Sequence, residues 1–188
     1  LVLTEDGALP NVAGIALRGA SLSFDNKSGT KDLADRLADA APVVMQSGMI
    51  AELGRAATVS AEAVGDVTVE AGYNYLAAVA GGTGVNRATL TLASLTRAKG
   101  AAVNVTSSVS WDGGNANFGL DVSGSGHVIV TGAQTGLDRV NGVVGGAFVS
   151  GGVDNFNFVG YDDEQGFQAL GTGTAPSVYT GAFAAAAA

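Results

Sequence analysis

The chain has 188 residues, with 29 glycines, 3 prolines, no cysteine, and 17 acidic against 9 basic side chains, for a net charge of −8. Glycine at roughly twice ordinary usage, without a three-residue period and with scarce proline, excludes collagen, and 47% hydrophobic residues exclude a disordered chain. The absence of thiols removes disulfides, Fe–S clusters and thiolate zinc sites, and the scattered basic residues give no stripe for nucleic acid or for an anionic membrane surface. No apolar run reaches the ~18 residues of a membrane-spanning helix, and no basic region followed by an apolar stretch opens the chain. Leu1 in place of an initiator Met points to a processed or excised segment.

The chain is built from a repeat. Short β-type runs bounded by Gly, Asn or Asp recur at Ala20–Asn26, Gly48–Gly54, Asn74–Ala80 and Ala101–Ser107, with starts 28, 26 and 27 residues apart. A companion run precedes each, at Gly14–Leu17, Pro42–Gln46, Asp66–Gly72 and Thr89–Leu95. The unit is strand, tight turn, strand, longer loop, close to 25 residues in all. Within the runs apolar and polar residues alternate: Val67, Val69 and Ala71 oppose Thr68 and Glu70, as in strands with one buried face. Only Thr30–Ala40 has helical spacing, through Leu33 and Leu37, and it reads as a short helix or turn within a loop. Pairs of the Asp-Gly or Asn-Gly type, which mark hairpins, occur only at Asp6-Gly7, Asp112-Gly113 and Asn141-Gly142. The expected fold is therefore all-β, a right-handed parallel β-helix or solenoid. Leu22, Ile50, Leu76 and Val103 should stack inside it, one turn apart.

From about Trp111 the texture changes. A Gly-dense stretch over 110–126 leads to strands expected at His127–Thr131, Val140–Val149 and Asn155–Tyr161, and six of the seven Phe lie beyond residue 117. The expected organisation is regular turns over 1–109, Gly- and aromatic-rich turns or a cap over 110–183, and a poly-Ala tail over 184–188. The cluster Phe156, Phe158, Tyr161 and Phe167 reads as a cap or partner surface.

The run GASLSFDN with the later DLADRLADAAPVVMQSGMIAELG, then ATLTLASLTRAKGAAVNV, VNGVVGGAFV and NFNFVGYDD, resembles the autotransporter-associated β-strand repeat proteins over about residues 1–180. The most specific pieces are Asp25-Asn26 with Asp35-Arg36-Leu37, and Leu95-Thr96-Arg97 with Gly100-Ala101. The resemblance implies a bacterial exported protein with a passenger-like solenoid at the cell surface or outside the cell, no catalytic residues and no cofactor. Its expected partners are neighbouring repeats or further copies of the chain, with carbohydrate or surface contact as a second kind of partner.

Each chemical motif competes with a plainer reading. His127 is the only histidine; Ser123, Ser125 and Asp121 lie near it, but no nucleophile elbow surrounds either serine, so a surface histidine at a strand start is expected. Asp162-Asp163-Glu164 offers carboxylates to calcium without EF-hand spacing and reads as a solvated turn. Glu52 with Arg55, or Glu70 with Arg87, would serve a polysaccharide-processing β-helix enzyme if they lined one outer groove. Gly81-Gly82-Thr83-Gly84 lacks the Lys-Ser/Thr ending of a phosphate loop and reads as a corner. Asn26-Lys27-Ser28 and Asn104-Val105-Thr106 match the glycosylation tripeptide by chance. No catalytic, cofactor or metal residue is assigned. The function expected is that of a structural stalk, coat or filament unit with adhesive contact as an added role.

Overall fold

The computed structural model describes residues 1–82, 84–108, 117–150 and 157–169, and no helix occurs among them. In chain order the strands are β1 (Val2–Thr4), β2 (Ile15–Arg18), β3 (Ser21–Asp25), β4 (Val43–Gln46), β5 (Met49–Leu53), β6 (Val59–Ala71), β7 (Tyr73–Val79), β8 (Arg87–Arg97) and β9 (Ala102–Thr106). They continue as β10 (Ser125–Val130), β11 (Gln134–Thr135), β12 (Arg139–Val140), β13 (Val143–Val144), β14 (Ala147–Ser150), β15 (Asn157–Asp162) and β16 (Gly166–Ala169).

Every strand up to β9 pairs in parallel with its counterpart one turn later. One sheet runs β1-β3-β5-β7-β9-β14 before continuing into β15 and β16, and the other runs β2-β4-β6-β8-β10. This is the β-solenoid that the repeat predicts. Tight corners join the two sheets, and the chain turns there through left-handed residues, Gly19 (φ 58°), Ser47 (φ 53°) and Gly72 (φ 72°). Stacking of these corners is held by hydrogen bonds from Gly19 N to Gln46 O (2.9 Å) and from Ser47 N to Ala71 O (3.2 Å). Glycine enters that conformation without the Cβ–carbonyl clash that other residues meet. Ser47 accepts the cost because its neighbours above and below fix the corner.

The interior is a set of ladders. Leu22, Ile50 and Leu76 lie opposite one another in register and are wholly buried. Ile15, Val43, Val67 and Leu95 form the facing ladder of the other sheet. One expectation needs correction: Leu76 is followed by Val105, not Val103, which sits opposite Asn74. Both valines are buried, so alternation alone cannot distinguish them. The corner between β8 and β9 is longer than its predecessors, which shifts the register by two residues and leaves the inward face unchanged. Outward-register positions Ala51, Ala77 and Val79 form a second, smaller apolar cluster with Met49 and Leu53.

Strands β6 and β8 are longer than expected, and each serves two faces of the solenoid. In β6 the buried positions are Ser60, Glu62 and Val64, then Val67 and Val69, so the inward parity changes at Gly65. A Cβ on Gly65 would lie 2.7 Å from the Ala40 carbonyl carbon and the Ala41 oxygen, so the bend presses directly on the previous turn. β8 repeats the change, from Ala88, Leu90 and Leu92 to Leu95. The segment 59–64 is hidden from hydrophobic patterning because its apolar residues Val59, Ala61 and Ala63 face outward while Ser60 and Glu62 face in.

No helix forms over 30–40. Leu37 instead makes an isolated parallel bridge with Leu9, and its side chain is buried in the solenoid. After β9 the turn lengthens: Ser125 lies opposite Arg87, and Ala147 opposite Val103. The single strand expected over Val140–Val149 is three. Asn141 (φ 50°) and Gly142 (φ 81°) make a two-residue hairpin between β12 and β13, and β14 returns to the main sheet. β15 and β16 then pair antiparallel, ending the parallel stack. Of the aromatic cluster, Phe167 is buried edge-on against Tyr161 at 4.9 Å, whereas Phe158 is exposed. Phe156, the stretch 109–116 and the poly-Ala tail lie outside the described residues.

Ladder and surface positions should respond very differently to truncation. Leu76→Ala is expected to lower the unfolding free energy by ~2–5 kcal/mol, the usual cost of a buried Leu cavity. Val59→Ala, at an exposed position on β6, should change it by no more than ~0.5 kcal/mol. Urea unfolding followed by circular dichroism checks both; equal effects would mean that the ladder assignment is wrong.

Candidate functional site

The most concentrated chemistry of the described residues lies inside the solenoid, at the long corner after β3 and β5. Arg36 is fully buried there. Its Nε and Nη2 donate to Asn26 Oδ1 (3.0 and 2.8 Å), and its Nη1 donates to the carbonyls of Glu5 (3.0 Å) and Gly7 (2.9 Å). Asn26 Nδ2 in turn donates to Leu33 O (3.2 Å) and Glu52 Oε1 (3.0 Å), while its Oδ1 also accepts from Leu33 N (3.1 Å). Glu62 accepts from the backbone amides of Arg36 (3.1 Å) and Leu37 (2.8 Å). These side chains hold the 28–41 loop against the turns before and after it. Amides bonded to Glu62 could not also serve a helix over 30–40, which is the physical reason that the helical spacing there is not realised.

The two carboxyls differ in how well they are served. Burial pushes Glu52 up to about 8, against the lowering effect of the Asn26 hydrogen bond, and its Oε2 is buried without a partner. Burial also raises Glu62, to about 7, because desolvation outweighs the two amides it accepts from. A carboxyl kept neutral by desolvation avoids the large cost of a buried unpaired charge.

His127 is the second buried group, and the expectation of a surface histidine is corrected: it is 1% exposed. Its register position, opposite Thr89, is outward-facing, but the β15–β16 hairpin lies against β10 and covers it. Nδ1 is 3.0 Å from Gln165 O, so it carries the proton, and Nε2 accepts from Ser125 Oγ at 2.8 Å. A serine–histidine pair therefore exists, but its third group is a backbone carbonyl and Ser125 is wholly buried. Asp121 is exposed and bonded to Arg87 Nη2 (2.8 Å), and Ser123 Oγ donates to Gly84 O (2.6 Å). The three residues near His127 in sequence thus divide among three separate tasks. Burial lowers the His127 pKa, only partly offset by the Gln165 carbonyl.

The carboxylate–cation pairs considered for an enzyme are not assembled. Glu52 faces the interior, and Arg55 Nη1 donates to Gly29 O at 2.6 Å. Glu70 is on the outer face of the other sheet, bonded to Gln46 Nε2 (2.6 Å), at the far end of β6 from the residue that pairs with Arg87. Asp162 Oδ1 accepts from Glu164 N (2.8 Å) and Gln165 N (2.9 Å), so the acidic triplet forms a tight exposed turn. No group of three His, Asp or Glu that could hold a metal ion occurs among the described residues. Gly81 and Gly82 make a corner whose carbonyls accept from Asn86 Nδ2. Asn26 and Asn104, the two glycosylation-type asparagines, are buried.

The last turn is fastened by one cation and one phenol. Arg97 Nε donates to Gly136 O (2.7 Å) and its Nη1 to Ala101 O (2.8 Å) and Ala98 O (3.3 Å). Tyr161 Oη donates to Val130 O and accepts from Val130 N, both at 2.8 Å, taking the place of a strand partner at the edge of β10. The Arg139 guanidinium lies 4.5 Å above the Tyr161 ring.

Comparison with protein-family models, characterised proteins and solved structures gives no match for this chain.

Two pH effects of opposite sign follow. Glu52 and Glu62, raised in the fold, contribute stability that is complete below about pH 4.5 and lost as pH rises through about 7 to 8. Wild-type unfolding free energy should therefore fall across pH 5–8 by a few kcal/mol, at ~1.4 kcal/mol for each tenfold difference in proton affinity between folded and unfolded chains. Glu52→Gln, which keeps the acceptor for Asn26, should flatten that slope; an unchanged slope would mean that the fold does not raise the Glu52 pKa. His127, lowered in the fold, contributes stability present above about pH 6.5 and lost as pH falls. Its ring resonances should titrate below the ordinary imidazole value, and carbethoxylation by diethyl pyrocarbonate should be slow until the protein unfolds.

Proposed function

We propose that this chain is a non-enzymatic structural unit, a turn-stacked stalk or coat segment of a bacterial cell-surface or extracellular protein. The observation that carries the reading is the open edge at one end of the stack. Among the described residues β1 pairs only with β3, and β2 only with β4, so both sheets offer unpaired backbone groups at the same end. The side chains there are apolar and exposed, Leu1 at 65% and Val2 at 57%. Such an edge accepts another strand in parallel register, from a further turn or from a second copy. At the other end β15 and β16 reverse direction and fold back over β10. Among the described residues the stack thus has one end where parallel pairing can be extended and one where antiparallel pairing interrupts it.

The resemblance to autotransporter-associated repeat proteins supports the extracellular location, and the buried positions of Glu52, Ser125 and His127 support a role in packing rather than catalysis. Net charge of −8 on a sparsely charged surface suits a protein that must stay dispersed apart from this end.

Sedimentation velocity and negative-stain electron microscopy test the proposal. Elongated particles that associate through the β1 end are expected. Val2→Lys, which places a charge on the edge strand, should shift the population to monomer without changing the melting temperature. A compact monomer of about 18 kDa at every concentration would overturn the assembly role.

A further inference from the structure

The hairpin of β15 and β16 lies on β10 as a cover, not as a further member of its sheet. Among the described residues β10 pairs with β8 along one edge and with no strand along the other. The hairpin crosses that free side. Gly166 is pressed so close to the Val128 carbonyl that no side chain fits there, and Tyr161 Oη bonds both Val130 N and Val130 O. The remaining polar ties are Gln168 Nε2 to Gly119 O (3.0 Å), His127 Nδ1 to Gln165 O (3.0 Å) and Arg87 Nη2 to Gln165 Oε1 (3.5 Å). Two residue pairs join β15 to β14, Phe148 with Phe158 and Val149 with Asn157. The rest of the hold is apolar, through Val159 and Phe167, both wholly buried.

The imidazole of His127 is shut beneath this cover. Its nitrogens meet a backbone carbonyl and the Ser125 hydroxyl, and among the described residues no carboxylate bonds to either. Two charged side chains face it. Arg87, from β8, opposes a second cation; Asp121, from the turn before β10, favours one but is exposed and already bonded to Arg87. The acids of the hairpin itself, Asp162, Asp163 and Glu164, sit in its exposed turn. Desolvation therefore dominates, and the covered ring is held neutral. An imidazolium regains its hydration only when the hairpin lifts.

We propose that the hairpin is an acid-released cover: a second proton on His127 favours the state in which β15 and β16 have lifted from β10. The uncovered ring binds that proton more tightly than the covered one. Each unit of pH below about 6.5 therefore raises the open fraction by up to about tenfold, until the covered ring also titrates. Lifting frees the Val130 amide and carbonyl, so the far side of β10 becomes an unpaired strand edge. The sign is opposite to that of Glu52 and Glu62, which steady the central turns as pH falls. The cover is independent of the structural role proposed above and does not require that the β1 end bind anything.

Hydrogen exchange on the whole 15N-labelled chain tests this, with each rate divided by its intrinsic rate at the same pH. The Val130 amide reports the cover. The Met49 and Tyr75 amides, which donate to Ala20 O and Gly48 O, report the central turns. From pH 7 to pH 5 the protection of Val130 is expected to fall about threefold or more, while Met49 and Tyr75 keep or gain theirs. His127→Gln should remove the fall at Val130. Tyr161→Phe, which deletes the acceptor, should lower Val130 protection at every pH. Melting temperatures report whether each variant is folded, and the comparison of the three wild-type amides decides the matter without them. Protection lost at all three together would be general acid unfolding and would overturn the proposal. So would a Val130 protection that does not fall with pH, or a fall that persists in folded His127→Gln.

Discussion

Parallel register is the condition on which the other features of this molecule rest. A backbone amide in β5 finds its partner in β3 or β7, never within its own turn, so a turn is stable only when its neighbours are in phase with it. In-phase stacking requires interior side chains of similar size at each level, which is why Leu22, Ile50 and Leu76 follow one another. It also requires corners that repeat, and the left-handed residues at Gly19, Ser47 and Gly72 provide them. The scarcity of large aromatics follows from the same condition, because a ring at one level needs a small partner at the next. Phe24 lies in register between Leu3 and Glu52, and the small Ala78 follows Glu52 one level further on.

The cost of this arrangement appears at the long corners. There the chain leaves the ladders, and its polar groups stay buried without strand partners. Asn26 and Arg36 resolve the problem by bonding to carbonyls and amides of three separate segments. A buried guanidinium bound to neutral oxygens is costly in isolation, and it is tolerated here because every contact also fixes a loop. Glu62 fills the complementary role for amides. The corner is a structural substitute for the hydrogen bonds that the sheets supply elsewhere.

How much of this is legible in the residues depends on range. The two-strand repeat, the parallel stacking and the ladder through Leu76 follow from alternation and spacing, both local properties. The segment 59–64 does not, because its buried face is Ser60, Glu62 and Val64, an inversion that makes sense only once the polar corner is known. Alternation puts His127 outward and so on the surface; the hairpin that covers it arrives from residues 157–169. Val103 and Val105 are equivalent in pattern, and only the length of the preceding corner selects between them. For the same reason Glu52 can be read as a groove carboxylate. Its inward parity is visible in the sequence, but an acid on an apolar face argues against itself until Asn26 is found beside it.

The unequal length of the turns bears on how the chain reaches this structure. Stacked residues are 24 to 29 positions apart through the middle of the solenoid, as with Val43–Val67 and Leu76–Val105. The separation grows at the end, where Arg87 faces Ser125 and Val103 faces Ala147. Closing a loop half again as long costs only about 0.4 kcal/mol more by the logarithmic law, so length alone does not make the last turn weak. What distinguishes it is dependence: β10 needs the finished outer edge of β8 as its template, and β16 needs β10. Assembly can therefore begin on any of the central turns and proceed outward, whereas the closing hairpin has nothing to fold upon until the turns beneath it exist.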